Sequence, residues 1–454
     1  MKHYNLIVIG GDGAGMGAAS QARRVNKDIS IAVFEKGHHV SYAACGIPYF
    51  LSGLVKDPSY LLAVDRGNFS QKKNISVHIK SEVTEIDFTN KILSVLHETE
   101  TEAVSYDKLI IATGATPSVP PIEGAKSNNI FTLRNLHDGM EIKSELERGS
   151  VKSVILVGGG FINLELAEAF TEVGLDLTLI EKMESVAPLS SGEIQKVIQE
   201  TMRENGIKLF HCTDISKFTE NNDGTVTVHT DRGDFTADFV VISTGVRPNT
   251  EILKETALEL TDRGAIIINE KSETNIPGVY AAGDCATVKN LITGRIDYIP
   301  MATTANKQGR VAGLQAAGVK TECFPGSIGS QVFKVFDLEV AKTGMNIKDA
   351  ENNGIEALEG TTSWHSRAGY FPGSAEILVK LTIRKDNHTV IGGEICGTDF
   401  AGIRINTIAA AITGKMEIEE LAYLDSAYAP PFSPVWDPVL AAAQNFIKRE
   451  SSGF

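Results

Sequence analysis

The sequence has no close pair of cysteines. Its five, Cys45, Cys212, Cys285, Cys323 and Cys396, are odd in number and scattered over 454 residues, which excludes a disulfide framework and leaves no zinc-ligand spacing. That usage fits a reducing, cytoplasmic setting. There is no block of basic residues and the formal charge is −14, so neither nucleic acid nor an anionic membrane surface is expected as the main partner. No apolar run approaches the roughly 20 residues that a membrane-spanning helix needs. The chain opens directly on a globular strand, so neither an anchor nor a signal peptide is expected. The length exceeds one ordinary core, and two or three domains are expected.

What is present is glycine in two matching turns. The strand Tyr4-Asn5-Leu6-Ile7-Val8-Ile9 runs into Gly10-Gly11-Asp12-Gly13-Ala14-Gly15, then a small-residue helix, then a second strand from Ile29 to Phe34 that ends at Glu35. This is the βαβ order of a dinucleotide fold. Glycines let the backbone approach a pyrophosphate, the helix start meets its charge, and an acid on the order of 20 positions later accepts from a ribose. The order recurs when Val154–Val157 enters Gly158-Gly159-Gly160-Phe161-Ile162-Asn163, a helix runs from Leu164 to about Val173, and Asp176–Ile180 ends at Glu181. Repetition in register implies two nucleotides. Each turn departs from the pattern. Asp12 replaces the second glycine of the first and is expected to face away from phosphate, with Gly13 supplying slack. Asn163 replaces the third glycine of the second and is expected to shift its helix slightly.

Cys45 lies soon after Glu35, in Ser41-Tyr42-Ala43-Ala44-Cys45-Gly46-Ile47-Pro48-Tyr49. There the chain has returned to the carboxyl ends of the strands, where a redox cofactor can lie against sulfur; a small buried structural cysteine is the alternative. A helix start after Ala44 next to that oxidised cofactor, with Pro48 in its first turn, is expected to lower the thiol pKa. Two apolar strands ending in small-residue turns, Leu109–Ala115 with Thr113 and Gly114, and Phe239–Asn249 with Gly245, are expected where the chain crosses between domains. Gly278–Cys285 offers a strand, a glycine turn and Asp284 at a helix start, either a sugar-hydroxyl acceptor or a helix cap.

On these residues the chain resembles the FAD-dependent pyridine nucleotide-disulfide oxidoreductases over essentially its whole length, in the branch with one active-site cysteine. Cys45-Gly46-Ile47-Pro48-Tyr49 and Ala427-Tyr428-Ala429-Pro430-Pro431-Phe432-Ser433 are similar to the coenzyme A-disulfide reductase and NAD(P)H persulfide reductase group. The resemblance implies an α/β fold with two Rossmann-like nucleotide-binding domains, for FAD (1–117 and 248–325) and NAD(P)H (118–247). It also implies a C-terminal α+β dimerisation domain (326–454) and a homodimer. FAD contacts are implied at Gly10, Gly11, Gly13, Ala14, Gly15, Glu35, Lys36, Val83, Thr113, Gly114, Gly283, Asp284 and Ala302. Contacts to NADH or NADPH are implied at Gly158, Gly160, Phe161, Ile162, Glu181 and Gly245. Tyr370 and Tyr428 match tyrosines presented to Cys45 of the partner subunit, ordinary interface aromatics being the alternative. Arg24, Ser41, Lys73 and Asn306 match coenzyme contacts, and Arg23 and Lys72 add positive charge, against the plain reading of solvated basic faces.

Three absences sort the activity. NADH oxidases and peroxidases of this branch carry a histidine in the first turn where this chain has Gly13, so peroxide cleavage lacks its general acid. His38 and His39 are read as solvated loop residues rather than substitutes. Ala44 stands where similar reductases place an asparagine, which removes one amide beside the reacting sulfurs. A fused rhodanese domain, seen in some relatives, is not expected because the chain ends soon after the dimerisation segment. The expected activity is NAD(P)H-driven reduction of low-molecular-weight disulfides or persulfides, those of coenzyme A first, through Cys45 alone. An NADH oxidase or peroxidase and a non-enzymatic redox sensor stand as alternatives. Glu181 favours NADH, since a carboxylate accepts from a ribose and repels a 2′-phosphate, while Lys182 acts in the opposite sense.

Overall fold

A computed structural model describes residues 1–63, 66–319 and 321–451. The first sheet is built on Lys2–Ile9, whose last four residues are all buried. Such two-sided apolarity is what a parallel strand covered on both faces requires. Parallel neighbours Ile31–Phe34 and then Ser76–His78 lie on one side of it. Glu100–Ile111 lies on the other, and continues through antiparallel Ile92–His97 and Ser81–Asp87. Val279–Ala281, far away in sequence, adds to Glu100–Ile111 in parallel.

The second sheet is wholly parallel, in the spatial order Lys208–Phe210, Asp176–Ile180, Ser153–Val157, Phe239–Ile242, Ile130–Phe131. Ala115–Pro117 and Val246–Pro248 pair antiparallel, so the chain leaves the first sheet and comes back to it side by side. The third sheet is antiparallel and runs Gln331–Val335, Leu338–Gly344, Val390–Gly397, Glu376–Arg384, Ala357–His365. Its apolar face packs with residues of the helices Ile405–Gly414 and Pro438–Ser451. Across its other face Lys342, Glu394 and Lys380 stand in register and are buried. The loop after the second sheet's Asp176–Ile180 caps this charged row. Ser191 N donates to Glu394 at 2.9 Å, and the Lys380 ammonium donates to Glu193 at 2.5 Å and pairs with Glu359 at 2.7 Å.

Two local expectations change. No helix starts at Asp284: Ala286 N closes a turn on Gly283 O, and Thr287 N then bonds Ile266 O, which draws the chain into a bridge instead. The helix of that region begins at Ala302. The second nucleotide unit's helix starts at Phe161, capped by Gly160, rather than at Leu164. Among the described residues no helix is long and apolar enough to cross a membrane.

Helix Gly13–Val25 crosses helix Ala302–Ala316 at backbone contact. A Cβ on Gly309 would lie 2.3 Å from Ala14 O, and one on Gly313 2.2 Å from Ala18 O. Gly309→Ala is therefore expected to lower the thermal midpoint, overpacking of this kind costing ~1–3 kcal/mol. Gly17→Ala, where a Cβ meets nothing within 4 Å, is expected to leave the midpoint unchanged or raise it through helix propensity. Calorimetry of the two variants checks the pair.

Candidate functional site

The two glycine turns form matching cradles. Gly10 has φ +102°, and a Cβ there would strike Ala112 O at 2.1 Å; Gly158 has φ +101°, and a Cβ would strike Ser243 O at 2.4 Å. In the first cradle Gly11 N and Gly37 N donate to opposite oxygens of Glu35 at 2.7 and 2.6 Å. In the second, Gly159 N and Met183 N donate to opposite oxygens of Glu181 at 2.5 and 2.7 Å. Each carboxylate is thus aimed by backbone amides and keeps lone pairs for ribose hydroxyls. Space is open at Gly13, Gly160 and Gly245, where a Cβ would meet nothing within 4 Å. The 13-residue helix beginning at Gly13 and the 12-residue helix beginning at Phe161 turn their amide ends to these openings. The cradles fit dinucleotide phosphates and ribose.

The remaining cofactor candidates spread around these openings. Ala14, Gly15 and Val83 are buried, Lys36 and Ala302 are exposed, Ile162 is half-buried, and Phe161 is 47% exposed at its helix start. Thr113 Oγ1 donates to Asn249 O at 2.7 Å beside Gly114, which ties the two crossing strands together. Gly283 brings Asp284 to the same cleft, where its carboxylate takes a hydrogen bond from Arg134 at 2.5 Å. Arg134 carries no motif in the sequence and was not anticipated.

The two irregular turn residues resolve differently. Asn163 is fully buried and donates to Val157 O at 2.9 Å and Gly158 O at 2.8 Å, so its amide fills the helix–strand gap and bolts it. The Asp12 carboxyl is held in the protein. Burial pushes it up to about 6, against the pull of the Gly13 and Tyr42 amides and of Arg134.

Ser41, at φ +53°, donates its N–H to Gly11 O at 2.8 Å, and Ala43 N donates to Leu61 O at 2.8 Å. The first cradle and the 61–62 segment therefore hold both flanks of the segment leading to Cys45, which sits exposed in the single turn Ala44–Gly46. The helix that follows, Ile47–Leu51, has only five residues. The protein packed around the sulfur, with the Glu165 carboxylate, pushes the Cys45 thiol up, while Arg134 draws it down. Glu165 is the other unanticipated residue. It shares a cleft with Tyr49 and Glu168 between Ile47–Leu51 and Phe161–Glu172, and burial together with Glu168 raises it to about 7. Glu168 is spoken for, accepting from Lys334 Nζ at 2.5 Å and Phe336 N at 2.8 Å.

His38 stacks edge-on to His137 at 4.5 Å. His39 is drawn down by burial and by those two histidines. Tyr370 and Tyr428 come together at the surface, 77% and 47% exposed. Partial burial and the neighbouring Tyr370 phenol raise Tyr428. No hydrogen bond among the described residues joins either to Cys45 of the same chain.

Arg24, on helix Gly13–Val25, donates to the neutral Gln21 Oε1 of the same helix at 2.7 Å, and Lys73 reaches that helix at the neutral Ser20 Oγ, 3.2 Å away. Asn306 is exposed on the helix packed beside it. Arg23 keeps its positive charge, but its N–H groups are taken by the carbonyls of Lys27, Ile29, Lys73 and Asn74 at 2.6 to 2.9 Å. The side chain of Lys72 lies outside the described residues.

Residues 4–309 match the family described as pyridine nucleotide-disulphide oxidoreductase, and residues 330–438 match its dimerisation domain. The chain is 35% identical over 440 residues to an NAD(P)H coenzyme A polysulfide/persulfide reductase of Pyrococcus horikoshii, covering 97% of each. It is 34% identical to an NADH oxidase of Methanocaldococcus jannaschii (98% and 99% covered) and 31% identical to a coenzyme A disulfide reductase of Staphylococcus haemolyticus (94% and 96% covered). Among solved structures, an NAD-dependent persulfide reductase from A. fulgidus superposes with a TM-score of 0.95 at 36% identity, over 99% of this chain and 84% of that one.

Glu165→Gln is expected to lower the Cys45 pKa, because removing a carboxylate charge favours the thiolate. Site-resolved alkylation by iodoacetamide across pH, with the exposed Cys212 and Cys323 as internal references, should show the Cys45 midpoint moving down. The same variant bears on stability. A carboxyl raised from 4.5 to about 7 contributes fully below 4.5, and loses that contribution as pH rises through about 7. Glu165→Gln should flatten the fall in thermal midpoint across that window.

Proposed function

Since the chain belongs to the pyridine nucleotide-disulphide oxidoreductase family and carries its dimerisation domain, we propose that it is an FAD-dependent reductase. It uses NAD(P)H to reduce low-molecular-weight disulfides or persulfides, coenzyme A disulfide or coenzyme A persulfide being the preferred substrates. The observation that carries this is Cys45, an exposed thiol hung on the first cradle; Cys285 behind Asp284 and Cys396 in the third sheet are buried, and the exposed Cys212 and Cys323 lie outside that cradle. In this reading residues 1–117 and 248–325 hold FAD, 118–247 hold the nicotinamide nucleotide, and 326–454 form the homodimer. Five unpaired cysteines suit a cytoplasmic setting.

Bound FAD supplies two-electron transfer from NAD(P)H to sulfur. The chain supplies the sulfur chemistry. A mixed disulfide between Cys45 and half of the substrate takes up two electrons and a proton, releasing a thiol and leaving Cys45 as thiolate. That thiolate attacks the next disulfide or persulfide, its electron pair forming the new S–S bond while the leaving sulfur departs with the old one. Tyr370 and Tyr428 of the partner subunit donate toward the leaving sulfur. A single cysteine completes the cycle.

Support for a polyanionic substrate comes from Arg24 and Lys73. Neither is paired with a carboxylate among the described residues, so both keep their charge for phosphates. NADH is favoured over NADPH: Glu181 is fixed by two amides, and Lys182 is turned to Asp214 at 2.7 Å. Peroxide or oxygen is the weaker acceptor, since Gly13 has no proton to give and His39 is held down.

Cys45→Ser is expected to fold and retain FAD yet lose reduction of coenzyme A disulfide, because a serine hydroxyl is not ionised near neutral pH. A hybrid of one Cys45→Ser subunit and one Tyr428→Phe subunit keeps one intact pairing of thiol and phenol across the dimer. Activity in that hybrid supports delivery between subunits, and an inactive hybrid contradicts it. A Cys45→Ser protein with most of its activity contradicts the function itself.

A further inference from the structure

The geometry points to Arg404 as the positioning residue that sets the two tyrosines for their work on the substrate. The inference rests on the reading of Tyr370 and Tyr428 given above. Arg404 is 8% exposed and lies at the end of the single turn Gly402–Arg404. Its planar guanidinium donates to four acceptors on three segments at once. Nε bonds Asp437 at 2.9 Å, Nη1 bonds Phe400 O at 2.9 Å, and Nη2 bonds Ser366 O at 2.7 Å and Phe432 O at 2.9 Å. Ser366 begins the loop that carries Tyr370, and Phe432 closes the one that carries Tyr428. Both loops are thus fastened to one buried cation, and Ala368 N to Pro430 O at 3.4 Å joins them directly.

The third segment shows that this fastening holds the backbone against its own preference. Asp399 and Phe400 have φ of +61° and +65°, two successive side-chain-bearing residues in the left-handed region, which is rare outside glycine and asparagine. Arg404 takes the Phe400 carbonyl, and Arg367 grips Asp399, with Nε to Oδ2 at 2.6 Å. Ser366 Oγ donates to that same oxygen at 2.7 Å. Strain of this kind persists where surrounding contacts over-determine it, and here those contacts converge on the Tyr370 and Tyr428 loops. Lysine cannot replace the fork, because a compact ammonium cannot reach four divergent acceptors in one plane.

Rapid mixing of the FAD-loaded dimer separates the half-reactions. Arg404→Lys should leave reduction by NADH unchanged and slow reoxidation by coenzyme A disulfide, on the order of 10²-fold for a misplaced reacting group. Asp437→Asn, which keeps the packing and weakens the anchor, should slow the same half-reaction by less. In a Tyr370→Phe/Tyr428→Phe background Arg404→Lys should cause no further loss. An equal loss with and without the phenols would overturn the positioning role, and so would reoxidation at the native rate in both Arg404→Lys and Asp437→Asn. Native reoxidation by the double Phe protein itself would overturn the reading of the tyrosines, an outcome separate from failure at Arg404.

Discussion

The first glycine turn is the constraint on which the other parts of the site hang. Gly10 sits against Ala112, a Cβ on Gly15 would lie 1.9 Å from Gly10 O, and Gly309 rests on Ala14. A side chain at any of these positions would push apart a sheet, a helix or the crossing of two helices. Gly11 of the same turn uses both of its backbone polar groups. Gly11 N aims Glu35, and Gly11 O receives Ser41 N and so fixes the approach to Cys45. One turn therefore shapes the nucleotide cradle and hangs the thiol beside it. The second turn repeats the cradle with Glu181.

Electrostatics around the thiol run against a simple picture of activation. Crowding by the protein and the Glu165 carboxylate both disfavour the Cys45 thiolate, and Arg134 is the cation that opposes them. Arg134 in turn is anchored on Asp284, so the pull on the sulfur and the position of a cofactor-facing acid are coupled through one guanidinium. The carboxyl of Glu165, raised to about 7, places a titrating charge behind the thiol near neutral pH. The proposed substrate choice rests on what the site lacks: no imidazole at Gly13, and no acidic partner for Arg24 or Lys73 among the described residues.

The two βαβ units, the acids that follow their second strands and the crossing strands were legible because spacing and apolar runs encode them locally. Their Glu35 and Glu181 locks follow the repeat residue for residue. Arg134, Glu165 and Arg404 were not legible, because each acts through groups distant in sequence. Arg134 reaches Asp284, Glu165 meets Cys45 across two elements, and Arg404 gathers carbonyls of Ser366, Phe400 and Phe432. The helix expected at Asp284 failed for a related reason, since Thr287 pairs with Ile266 from an earlier segment and that pairing overrides the local signal. The expectation of a lowered thiol pKa joined a helix start to a bound oxidised flavin; the helix has five residues, and Glu165 beside it works in the opposite sense.

The most direct test of the account is the fate of the reduced, FAD-loaded protein under anaerobic conditions. One equivalent of NADH should produce the long-wavelength absorbance of a Cys45 thiolate beside oxidised flavin. Coenzyme A disulfide or persulfide should discharge that band faster than hydrogen peroxide by the 10² to 10⁴ that a missing general acid typically costs. Discharge by peroxide at enzyme-like rates, with every disulfide and persulfide ignored, would contradict the account.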